Sequence, residues 1–120
     1  KNTKREFREE LKNCLKKGAN MKAYMIVRAE IFDREAFVNG YGKEAGKLVE
    51  KFGGRYLVRA PGAIALEGIN AENNSVVISE WDNKESCLEF WNSEEYQEVK
   101  KMRDGIANCA VMIIESDNLN

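Results

Sequence analysis

The chain contains no histidine. That absence removes Ser-His-Asp and Cys-His catalysis, the commonest transition-metal ligand and proximal-His haem ligation. Chemistry is left to carboxylates, Arg, Lys, Tyr, Cys and backbone groups. No metal site and no cofactor is expected. Cysteine is scarce: Cys14, Cys87 and Cys109 are the three present, with no C-x-x-C pair. Their odd number and wide spacing fit neither a zinc knuckle nor a thioredoxin motif. Reduced thiols in a cytoplasmic protein are the simple reading. No apolar run reaches the roughly 18 residues of a membrane span. The charged N-terminus lacks the apolar stretch of a signal peptide. Asn73-Asn74-Ser75 fits the glycosylation triplet without a secretory context to use it. Neither charge sign is in excess, with 19 basic and 20 acidic residues and a net charge of -1. Electrostatics therefore suggest neither nucleic acid nor an anionic membrane as partner.

What is present fits one globular domain. The 120 residues, 43% apolar, suffice for a single core without staples. Residues 1–20 read as an N-terminal extension, because Met21 directly precedes the first strand. Within it Thr3 and Glu6 have capping-box spacing, Phe7, Leu11, Cys14 and Leu15 form a helical stripe, and Gly18 ends it. The domain spans 21–115, with a tail at 116–120. Lys22 to Ala29 alternates as a strand, Ala23, Met25, Val27 and Ala29 on one face and Tyr24, Ile26, Arg28 and Glu30 on the other. Asp33 caps a long helix whose buried stripe is Ala36, Phe37, Tyr41, Ala45, Leu48, Val49 and Phe52. Gly53-Gly54 terminates it. Strands follow at 54–60, at 63–67 beyond the Pro61-Gly62 break, and at 75–81 beyond a polar turn at 70–74. Asp82 and Glu85 form a second capping box. Its helix carries Leu88, Phe90 and Trp91 and is interrupted at Asn92-Ser93. A further helical run passes Tyr96, Val99 and Met102 and ends at Gly105. Cys109 to Ile114 is the last strand.

The order β-α-β-(β)-β-α-β is the split β-α-β pattern of ferredoxin-like α+β folds, with helices on one face of an antiparallel sheet. The strands, however, are apolar on both faces. Val76 and Ile78 alternate with Val77 and Trp81; Val111 and Ile113 alternate with Met112 and Ile114. A second apolar face needs a second cover, and twofold self-association is the economical one.

Several stretches carry a resemblance. They are Met21-Lys22-Ala23-Tyr24, Gly53-Gly54-Arg55-Tyr56-Leu57-Val58-Arg59, Glu67-Gly68, Val76 to Trp81, Phe90-Trp91-Asn92-Ser93-Glu94-Glu95-Tyr96, and Arg103. Together they resemble the small family catalogued as domain of unknown function 1330. The resemblance implies a dimeric α+β barrel, two sheets facing one another across a dimer axis. It implies no activity. Related barrels include cofactor-free monooxygenases, haem-degrading enzymes, isomerases and ligand-binding regulators, and fold analogy does not choose among them. Two departures stand out: residues 1–20 are extra, and Ala60-Pro61-Gly62 replaces the usual glycine pair after the arginine.

Among residues that can carry chemistry, Arg59 comes first. A strand arginine near a cavity grips a carboxylate through two parallel bonds. The competing role is an ion pair with Glu67 or Glu80 inside the sheet. Glu67 and Glu80 are the candidate catalytic carboxylates, because half-burial raises a carboxyl pKa towards that of a working base. Their competing role is pairing with Arg28 or Arg59. Tyr24, Tyr41, Tyr56 and Trp81 can line a cavity for a planar ligand or simply fill the core. Arg28 is a further candidate for ligand binding. Asp33 is better explained as a cap. Cys109 belongs to a buried strand, and Cys87, near a helix start, has no histidine to activate it. Gly40-Tyr41-Gly42-Lys43-Glu44-Ala45 fits G-x-G-x-x-A, but it sits inside a helical stripe and not at a strand-to-helix junction. Its glycines mark a soft or bent stretch, each costing about 1 kcal/mol of helix propensity relative to alanine.

The function expected on these grounds is that of a small homodimeric protein binding an apolar or acidic metabolite, acting as a cofactor-independent enzyme. The alternative is a ligand-sensing or interaction module without catalysis.

Overall fold

The computed structural model describes residues 21–68 and 74–117. The expected helix within 1–20, most of the polar turn at 70–74 and the end of the tail lie outside the described residues.

Strand β1 (Lys22–Ile31) leads through Asp33 into a helical run. The Asp33 side chain accepts a hydrogen bond from the Ala36 N–H at 3.0 Å, the cap its position suggested. The run comprises α1 (Arg34–Ala36), a π-helical stretch (Phe37–Gly42) and α2 (Lys43–Lys51). The soft stretch expected at Gly40 and Gly42 is this π-helical segment, a geometry that widens the turn. Helix α2 closes in a Schellman motif: Gly54 N–H donates to Val49 O at 2.8 Å and Gly53 N–H to Glu50 O at 3.1 Å. Gly53 supplies the left-handed residue that this closure needs, at φ 95°.

Strand β2 (Arg55–Pro61) and strand β3 (Asn74–Trp81) follow. Residues 63–67 correct the expectation of a short strand between them. Alternation and β-propensity are present there, but among the described residues no strand pairs with the segment. Ile64 is 83% exposed and Leu66 94%. Asn83, not Asp82, caps α3 (Lys84–Asn92), because the Asn83 side chain reaches Ser86 N–H at 2.8 Å. Ser93 caps α4 (Glu94–Lys100) through Tyr96 N–H at 3.0 Å. A 3₁₀ turn (Lys101–Arg103) leads into β4 (Ala107–Ser116).

The sheet is antiparallel throughout, in the order β2-β3-β1-β4. This is the ferredoxin-like split β-α-β arrangement, with the described helices on one face. The register puts Ala23 opposite Trp81 and Met25 opposite Ser79 on that covered face. There the core collects Ala23, Met25, Ala45, Val49, Trp81, Cys87, Phe90 and Tyr96. Among the described residues nothing covers the opposite face. Across it runs an apolar row, Val58 on Ile78, Ile78 on Ile26, Ile26 on Met112, one residue from each strand. Met112 is 59% exposed and Ile114 46%. A two-layer fold that leaves such a row in water lacks a third layer. No described helix is long and apolar enough to cross a membrane.

Candidate functional site

The π-helical stretch and α2 stand over β1, β2 and β3 and leave a cavity of about 380 Å³ beneath them. Short side chains make the room: Ala29, Ser75 and Ser79 below, Gly42 and Ala45 above. Phe37, Val38, Ile31, Val27 and Val77 make most of the interior apolar. Charged lining residues are of one sign, namely Arg34, Lys43 and Arg59, and among the described residues no carboxylate lines it. An apolar volume with cationic groups and no acid complements an amphipathic anion.

Arg59 owes its place to a β-bulge. The register of β2 against β3 shifts between Tyr56 and Val58, leaving Leu57 as the extra residue. Tyr56 then pairs with Ser79 and Arg59 with Val77, both on the covered face although three residues apart. The Arg59 guanidinium lies 4.6 Å from the Tyr56 ring centre, a cation–π contact that directs it without neutralising it. Among the described residues Arg59 makes no ion pair. The expected partner Glu80 belongs elsewhere. Its Oε1 accepts from Arg55 Nε at 2.7 Å and its Oε2 from the Tyr24 hydroxyl at 3.0 Å. The sequence signal for Arg55 was available, since it directly faces Glu80 across the strands.

Three of the candidate residues, Arg59, Tyr41 and Tyr56, meet at the cavity. Tyr24, Arg28 and Glu80 project from the uncovered face. There Arg28 borders a second recess, of about 310 Å³, with Glu30, Asn108 and Cys109. Trp81 is on the covered face but wholly buried in the core. Glu67 lies in the exposed stretch past Pro61. Sequence reasoning passed over Arg34, Lys43 and Tyr96. Arg34 is tied to Ser75 Oγ at 3.0 Å. Its spacing of three and seven from Phe37 and Tyr41 was the signal that it shares their helix face.

Electrostatics sort these groups further. For Glu80, burial opposes the charge, but the bonds from Tyr24 and Arg55 outweigh it and hold the pKa below 4.5. A carboxylate so held is a poor base. Burial is the main cause lifting the Tyr41 phenol above its ordinary range, and the neighbouring Tyr96 adds to it. Tyr96 is raised by burial as well, against the pull of Tyr41 and Arg103. The two hydroxyls are 2.7 Å apart, and both rings line the cavity. Burial pushes the Cys87 thiol up to about 12. At pH 8 only about one such thiol in ten thousand is ionised, so native Cys87 should resist iodoacetamide for hours. Mass mapping after denaturation checks this; alkylation of native Cys87 within minutes would contradict the burial.

Comparison with solved structures defines the class of fold. A protein of unknown function from Rhodopseudomonas palustris superposes with a TM-score of 0.65 at 20% identity, over 91% of this chain and 93% of that one. SnoaB, a cofactor-independent oxygenase from Streptomyces nogalater, gives 0.61 at 7% identity over 82% and 96%. A proposed antibiotic biosynthesis monooxygenase from Nitrosomonas europaea gives 0.60 at 11% identity over 82% and 90%. The shared fold is the ferredoxin-like dimeric α+β barrel. No curated protein matches the chain significantly. Within that class the sequence pattern of the domain of unknown function 1330 matches residues 22–117, and the chain belongs to this family.

Proposed function

We propose that this chain is a homodimeric binding protein for a small apolar acid, held in the cavity between the first helical run and the sheet. One observation carries the reading: a largely apolar cavity whose charged lining is all cationic. A carboxylate would meet Arg59, which has no anionic partner among the described residues, while the carbon skeleton fills the space above Ala29, Ser75 and Ser79. If chemistry follows binding without a cofactor, the paired phenols of Tyr41 and Tyr96 are its proton donors. The oxygenase titles of two neighbours fit a cavity of this kind, at identities that transfer the fold alone. The uncovered sheet face supports the dimer, since a second copy offers it an identical apolar row.

Native mass spectrometry of the protein as purified from cells tests both halves at once. A dimer carrying an extra mass of an organic acid is the expected result. Arg59→Ala should then weaken binding of that acid about 10- to 100-fold, the range for losing a charge-assisted pair of hydrogen bonds. Its thermal midpoint should move by only about a degree or two, because Arg59 holds no ion pair among the described residues to lose. Unchanged affinity together with a large loss of stability would make Arg59 scaffold and overturn the binding role.

A further inference from the structure

The Tyr41–Tyr96 pair has more hydrogen-bond donors than the protein uses. Two phenols carry two protons. The 2.7 Å contact between their oxygens consumes one, and either atom can be the donor. The second proton finds no acceptor among the described residues. Beside the pair, the Arg103 guanidinium lies 5.4 Å from the Tyr41 ring centre. Its Nε is buried and likewise has no partner among the described residues. Buried donors are almost always matched, so the unmatched phenol proton at the cavity calls for an oxygen. Burial keeps both phenols protonated, so they donate and do not act as bases. Arg103 does not line the cavity; its cation sits behind the phenols, where it holds their oxygens as the negative ends of the two O–H dipoles and favours a proton directed forward.

We propose that Tyr41 and Tyr96, backed by Arg103 as a positioning residue, form a second recognition point in the cavity for a carbonyl or phenolate oxygen, so that the ligand is an oxo- or hydroxy-substituted apolar acid. The proposal rests on the acid-binding reading above and narrows its ligand class. Arg59 takes the carboxylate and the tyrosine pair takes the second oxygen, an arrangement that fixes the ligand's direction in a largely apolar cavity.

Paired probes of equal shape separate the two readings. Calorimetric affinities are compared for para-acetylbenzoate and para-isopropylbenzoate, and for the corresponding naphthoates, which span a longer distance. At least one oxygenated probe is expected to bind about 10-fold more tightly than its hydrocarbon twin, the usual effect of satisfying a buried donor. In the double variant Tyr41→Phe/Tyr96→Phe that preference should fall to about one, with hydrocarbon-probe affinity unchanged, a split that a merely structural role would not produce. Arg103→Met should reduce the preference and leave hydrocarbon binding intact. Equal affinities for both twins in the wild type, with Arg59→Ala still weakening each, would overturn the tyrosine subsite alone. Indifference of both probes to Arg59→Ala would remove the acid-binding reading and this proposal with it. A preference that survives in the double phenylalanine variant would also overturn the subsite.

Discussion

Gly54→Ala is expected to destabilise the chain by about 3 kcal/mol, at the upper end of the usual overpacking range. A methyl at this position would lie 2.6, 2.7 and 2.8 Å from three atoms of the Trp81 ring, well inside contact distance. The ring has nowhere to go. Trp81 is fully buried, its Nε1 donates to Ser79 Oγ at 3.0 Å, and Phe90 packs on it with ring centres 5.0 Å apart. The backbone is equally fixed, because Gly54 N–H closes the helix cap onto Val49. Glycine is needed here for its lack of a side chain and not for an unusual φ. Urea denaturation followed by Trp fluorescence measures the cost, which corresponds to a fall of about 10 °C in thermal midpoint. Trp81→Leu should be harmful alone but less than additive with Gly54→Ala, since it vacates the space the methyl needs. A cost under about 0.5 kcal/mol for Gly54→Ala would mean that helix end and ring do not meet as described.

Ile78→Lys should convert the proposed dimer to a monomer without unfolding it. Ile78 is in the middle of the uncovered row, between Ile26 and Val58. In one chain the lysine would point into water and cost little. In a twofold dimer two ammonium groups would be buried per assembly, face to face and unpaired. Raising the dimer Kd by about a thousandfold, roughly 4 kcal/mol, is a modest expectation for that burden. Sedimentation equilibrium reads the mass and far-ultraviolet circular dichroism the fold. A wild type that sediments as a monomer at micromolar concentration would remove the argument from the two-faced sheet.

The architecture was legible because its signals are local. Alternation in β1 sorted Ala23, Met25 and Ala29 from Tyr24, Ile26 and Arg28, and the burial follows that division. Asp33 and Gly53 mark the helix ends by side-chain and φ chemistry that needs no tertiary context. Residues 63–67 failed for the converse reason, since a strand exists only where an edge accepts it. The site was half legible. Period-two alternation tells which residues share a face, not which face the helices cover, so Tyr24 and Glu80 were as eligible as Arg59 and Tyr41. Tyr96 was hidden because its three-residue spacing from the Ser93 cap, within a Ser-x-x-Tyr motif, reads as ordinary helix core. Only its partner across the fold, Tyr41, gives its hydroxyl a role.

The bulge at Leu57 makes the placement of charge a matter of strand register and not of residue choice. Val58 faces the uncovered sheet and Arg59 the cavity only because one residue between Tyr56 and Val58 goes unpaired. Were that residue to pair in regular register, the two faces would exchange their occupants, the guanidinium passing to the apolar side and the valine into the pocket. Deleting it would leave both where they are, since Val58 already stands opposite Ile78 and Arg59 opposite Val77. A relative that skips this residue in its pairing, or drops it altogether, keeps its cation in the same room.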